Sequence, residues 1–247
     1  IEDEATAGSV VLLDERWRRR PVGLVSGGEP ESDQPLLSDL YYLKRAITPF
    51  ADVREGNVDT LLKRELAVLV LSDIGQVVGP DHKQLEDWLQ KGGVVLRFAG
   101  PRMASKADDL LPVHLRAGGR ALGGALSWDQ PAHLAPFAEG SPFQGLAISK
   151  EVVVNRQVLA EPSVDLASRT WARLEDGTPL VTADKRGDGW LVLFHTTANT
   201  QWTNLPLSGL FVEMLQRIVD LSQGVAGAAD GEATLPPLSL LDGFGHL

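Results

Sequence analysis

The 247 residues suffice for one large domain or two modest ones, and 43% hydrophobic with 23% charged residues excludes a disordered chain. With 33 acidic against 23 basic side chains the net charge is -10, a balance that repels nucleic-acid phosphates. No stretch approaches the ~20 apolar residues of a membrane-spanning helix, no secretory signal is visible, and the absence of cysteine removes disulfides, thiolate metal sites and cysteine nucleophiles together.

The chain begins at Ile1 rather than Met, which reads as a piece of a longer protein. Ser9–Leu13 is a first short apolar run. The basic cluster Arg16-Trp17-Arg18-Arg19-Arg20 reads as a charged edge strand or loop rather than a binding patch. Val22–Ser26 is the next strand and runs into the polar loop Gly27–Pro35. Leu36, Leu37, Leu40, Leu43 and Ile47 recur at helical spacing until Pro49 stops the pattern. Asp52–Arg54 suits an edge strand and Val58–Leu66 a weak helix. Ala67–Leu71 is apolar throughout, the form of a strand buried on both faces. Pro80–Lys91 is a helix with Pro80 in its first turn and Gly92-Gly93 after its end, and Val94–Ala99 follows as a strand. Strands alternating with helices over short connections imply a parallel sheet with helices on both faces.

Residues 101–160 break that rhythm: Gly, Pro and Ala are frequent, two double glycines occur, and no helical period persists, so this is a loop-rich insertion with short strands. Glu151–Leu159 and Thr170–Leu174 are strand candidates. Turns at Asp176-Gly177 and Gly187-Asp188-Gly189 join Thr170–Leu174, Leu180–Ala183 and Trp190–Phe194 into an antiparallel meander. Ser208–Leu221 is an amphipathic helix with Leu210, Phe211, Met214, Leu215, Ile218 and Leu221 on one stripe. Residues 226–247 read as a linker tail, leaving residues 1–225 as a single α/β domain.

Ligands of open α/β sheets sit beyond the carboxyl ends of the strands. The polar residues just after the apolar runs, Ser26, Glu29, Asp73, Arg102, His195, Asn199 and Trp202, are therefore the candidate crevice. Trp202 is the one tryptophan placed on a rim, where an aromatic face would suit a sugar; Trp171 and Trp190 lie on predicted strands and read as core. Phosphate-cradling glycine motifs are absent, and Glu29, Glu31 and Asp33 would repel a pyrophosphate. The five histidines include no pair at metal-ligand spacing; His82 reads as exposed and His195 as structural, so neither a metal nor a cofactor is expected. G-x-S-x-G and G-x-C-x-G are both missing.

The segment AVLVLSDIGQVVGPDHKQLEDWLQKGGVVLRFAGP resembles the central unit of class I glutamine amidotransferase-like domains. GTPLVTADKRGDGWLVLFHTTANTQWTNLPLSGLFVEMLQRIVDL is similar to the end of such a domain in bacterial BatA-type, aerotolerance-related membrane proteins. Together the resemblances span roughly residues 20–225 and imply a flavodoxin-like three-layer sandwich. They also imply a soluble domain on the periplasmic side of an inner-membrane protein, contacting protein partners or other domains of that protein without itself inserting into the bilayer. In that alignment the nucleophile position falls on Phe98, and the family's His-x-Glu pair falls on Thr197-Ala198-Asn199. Because a catalytic triad works only as a unit, these departures point to a non-catalytic ligand- or protein-binding module. The alternatives are a hydrolase or transferase with a non-standard site near Asp73 and His195, and a carbohydrate-binding module resting on Trp202.

Overall fold

A computed structural model describes residues 19–28, 38, 40–116 and 125–222. The Ser9–Leu13 run, most of the basic cluster, the tip of the loop after Gly28 with Glu29, both double glycines and the 226–247 tail lie outside the described residues.

The fold is mixed α/β. β1 (Arg20–Ser26), β2 (Ala51–Glu55), β3 (Val68–Ser72), β4 (Val94–Phe98), β7 (Thr170–Arg173), β8 (Pro179–Arg186) and β9 (Gly189–Phe194) form one sheet in the order β2-β1-β3-β4-β9-β8-β7. The pairings from β2 through β9 are parallel, whereas β9 with β8 and β8 with β7 are antiparallel. A separate antiparallel pair joins β5 (Ala125–His133) to β6 (Val153–Val158).

Alternation along the strands explains the layers, because successive side chains of a strand face opposite ways. Val22, Leu24, Val68, Val70, Val94, Leu96 and Phe98 pack with α1 (Tyr41–Ile47) and α5 (Gly209–Leu221). Leu69, Leu71, Val95 and Leu191 pack on the other face with α2 (Val58–Leu62) and α3 (Pro80–Gln90). Each cluster is apolar because its strands are covered on both sides, which is why these runs show no polar alternation.

Two readings of the sequence need correction here. The 101–160 stretch opens with a helix, α4 (Pro101–Ser105), too short for its period to register, and β5 is a nine-residue strand rather than a short one. Arg20 is not part of an exposed edge: β1 lies inside the sheet, and the Arg20 guanidinium donates to the Val219 carbonyl and the Ser222 hydroxyl, closing the end of α5. Cations suit helix C-termini because the last carbonyls lack partners there.

Candidate functional site

The chain runs outward from β1 to β2 on one side and resumes at β3 on the other, so strand order reverses between β1 and β3. In open α/β sheets such a reversal is where ligands bind, between the loops beyond the strand ends. The last row of the parallel strands reads Ser26, Ser72, Phe98 and Phe194, in register and on one face. Half of that row is polar, and the other half is aromatic.

On the polar half, Gly27 N–H donates to the Ser72 carbonyl and Gly28 N–H to the Ser26 hydroxyl. Asp73 turns sharply, with φ of 45° in the left-handed region that most side chains avoid. The turn aims its carboxylate at α4, where it accepts from the backbone N–H groups of Arg102 (3.1 Å) and Met103 (3.1 Å). The Arg102 guanidinium stands 3.5 Å away. Burial raises the Asp73 pKa above the ordinary carboxylate range, and these two amides and the arginine pull it back. Glycine is obligatory around this carboxylate: a Cβ at Gly100 would overlap the Asp73 carboxyl, and one at Gly27 would overlap its carbonyl oxygen.

Beneath this loop lies an ion pair that the sequence reading missed. Arg97, fully buried in β4, is paired with Asp108 and also donates to the carbonyls of Ile74 (2.7 Å) and Leu110 (2.8 Å). Asp108 in turn accepts from Val77 N–H at 2.7 Å and Leu110 N–H at 3.1 Å. The pair thus fixes the path of the chain just after Asp73. The available signal was the arginine itself, since a charge inside a strand buried on both faces requires a partner.

On the aromatic half, Phe98 has no exposed surface. Its ring stacks on Phe194 at 4.6 Å and meets the edge of Phe211 at 5.9 Å. His195, one residue past β9, is also fully buried; its Nε2 is 2.9 Å from the Thr182 hydroxyl and its Nδ1 is 3.0 Å from the Val158 carbonyl. Burial depresses its pKa to about 4, against a smaller upward pull from the Val158 carbonyl. Asn199 closes a local turn, its side-chain oxygen accepting from Gln201 N–H.

The seven candidate residues therefore do not share one crevice. Ser26, Asp73 and Arg102 come together, and Glu29 lies outside the described residues. His195, Asn199 and Trp202 belong to a second, buried group under β6. Apolar side chains, among them Ala99, Met103, Leu111, Val158, Leu193 and Trp202, form the contact between the two regions. Trp202 is accordingly not on a rim: it is 3% exposed, and the Arg156 guanidinium covers its ring. His82 is half-buried and bonded to Asp109 at 2.7 Å rather than exposed. Trp171 and Trp190 are half-buried, their rings 5.2 Å apart. Among the described residues no cluster of three or more His, Asp or Glu could hold a metal, and no helix is long and apolar enough to cross a membrane.

No family model matches the sequence, and no curated protein matches it. Solved structures with a similar fold include the cytoplasmic protein STM3548 from Salmonella typhimurium, with a TM-score of 0.61 at 12% identity over 82% of this chain and 98% of that one. A second, STM1381 from Salmonella typhimurium LT2, has a TM-score of 0.57 at 13% identity over 80% and 95% of the two chains. A ThuA-like protein from Parabacteroides merdae has a TM-score of 0.53 at 14% identity over 87% and 94%. At these identities the likeness concerns the fold alone.

Proposed function

We propose that the chain is a flavodoxin-like, amidotransferase-like domain that works by binding rather than by catalysis. The observation that carries this reading is Phe98, sealed between Phe194 and Phe211 at the strand end where the resemblance puts the nucleophile. Acyl transfer needs an activated nucleophile within hydrogen-bond reach of a base. Here Asp73 is engaged by the α4 amides and His195 by Thr182 and Val158, so the two groups nearest to a catalytic pair are each committed elsewhere. The strand order 2-1-3-4 supports the flavodoxin-like assignment. The setting in a bacterial membrane protein, on the periplasmic side and among protein partners, is supported by the resemblance of the Gly177–Leu221 segment.

A pull-down from bacterial membranes with the full-length parent as bait tests the binding half. A partner retained equally by the parent and its Ser72→Ala variant is expected, because Ser72 is buried at the end of β3 and presents almost no surface to a partner. Absence of any specific partner, or its loss in Ser72→Ala, contradicts the reading.

A further inference from the structure

A cavity of about 360 Å³ lies beside β7, away from the β1 and β3 strand ends, with Pro136, Leu166, Ala167, Trp171, Pro179 and Arg173 among its lining residues. That volume sits at the small end of the range of ligand pockets, roughly 300–1,000 Å³. One wall is rigid. Trp171 is held by Trp190 at 5.2 Å, by the edge of Phe143 at 6.0 Å, and by the Ser141 hydroxyl donating to its carbonyl at 2.7 Å. The two prolines bring no N–H, and the Thr170 hydroxyl already donates to the Leu166 carbonyl at 2.7 Å. Beyond the Ser163 hydroxyl and Arg173 these walls offer a polyol few partners, so most of its hydroxyls would go unpaired, whereas an alkyl or aromatic body would lose only water.

The charge at this cavity singles out one end of the ligand. Arg173 is exposed, and its guanidinium makes no hydrogen bond or ion pair among the described residues. Two acids follow it on the β7–β8 turn: Asp176 accepts from Thr178 N–H at 2.9 Å, and Glu175 is exposed. Neither is paired with the arginine. A planar guanidinium beside an apolar cavity matches a carboxylate at the head of an apolar body.

We propose that this cavity binds a small apolar carboxylic acid, its body against Trp171, Leu166 and the two prolines and its carboxylate on Arg173. The proposal is independent of whether the strand end is catalytically inert. Titration of the protein with sodium octanoate, 1-octanol and glucose, followed by calorimetry and by the shifts of the Trp171 indole resonance, tests it. Saturable octanoate binding is expected, at least tenfold tighter than octanol. Arg173→Gln is expected to weaken octanoate tenfold or more towards the octanol value, and Ala167→Phe, which fills the cavity, to abolish it, with the melting temperature of both variants unchanged. Octanoate that does not saturate overturns the proposal. So does octanoate binding that survives both substitutions, octanol binding as tightly as octanoate, or saturable glucose binding.

Discussion

At the scale of single residues, Phe98, in the last row of the parallel strands, and His195, one position past β9, show how side chains at strand ends come to be structural. Phe98 contributes a full ring to the aromatic contact with Phe194 and Phe211, so Phe98→Ala is a core truncation expected to cost about 3–5 kcal/mol. Chemical denaturation measures it, and a loss under about 1 kcal/mol would mean that the strand end collapses readily around the missing ring. His195 gives a prediction in pH. Its pKa falls from an ordinary 6.5 to about 4 on folding, so the folded state takes up a proton less readily than the unfolded chain. The stability that depends on a neutral His195 is complete above pH 6.5 and is lost as the pH falls towards 4. Its size is about 3 kcal/mol. Asp73 works in the opposite sense, since its raised pKa makes protonation on acidification favourable in the folded state. The difference between wild type and His195→Gln isolates the histidine: denaturant midpoints between pH 7 and pH 4 should fall more steeply in the wild type. Parallel curves would remove His195 from the account.

At the scale of elements, the Arg97–Asp108 pair ties β4 to the two segments that follow β3 and α4. Removing one partner of a buried pair leaves the other charge uncompensated, so Asp108→Ala is expected to cost about 3–5 kcal/mol. The apolar double variant Arg97→Met/Asp108→Leu should recover part of that loss, because it removes both desolvated charges. A double variant no more stable than Asp108→Ala would show that the carboxylate acts chiefly through Val77 and Leu110 N–H. Elements of this kind mark the limit of what the sequence discloses. β1, β3, β4, α3 and α5 were legible because their apolar periods are long and their ends carry proline, glycine or a capping serine. The Ser26–Asp73–Arg102 grouping was legible too, since strand ends alone place those residues together. The second half of the proposed crevice was not. His195 and Trp202 are buried because β6 crosses over them, with Val158 N–H on the His195 carbonyl and Asn155 N–H on the Trp202 carbonyl. Local pattern carries no trace of a pairing between residues so far apart. Nor does it show that α4, only five residues long, supplies the amides that occupy Asp73.

At the scale of the whole molecule, the sheet and its helices supply two distinct environments at the strand ends. The β1/β3 side is polar and carries a strained aspartate between glycines, whereas the β4/β9 side is closed by aromatic and apolar side chains. The amidotransferase resemblance would place a nucleophile at Phe98, on the closed side, and a fold by itself does not confer the chemistry. The most direct measurement is turnover of glutamine and of a simple ester by the wild-type chain, with Ser72→Ala and His195→Ala beside it. Among the described residues at the ends of β1, β3, β4 and β9, Ser72 is followed directly by a carboxylate, and His195 supplies an imidazole one residue past β9. The account predicts rates at the buffer background for all three proteins. Hydrolysis above background by the wild type, abolished in either folded variant, would contradict it and assign the strand end to catalysis.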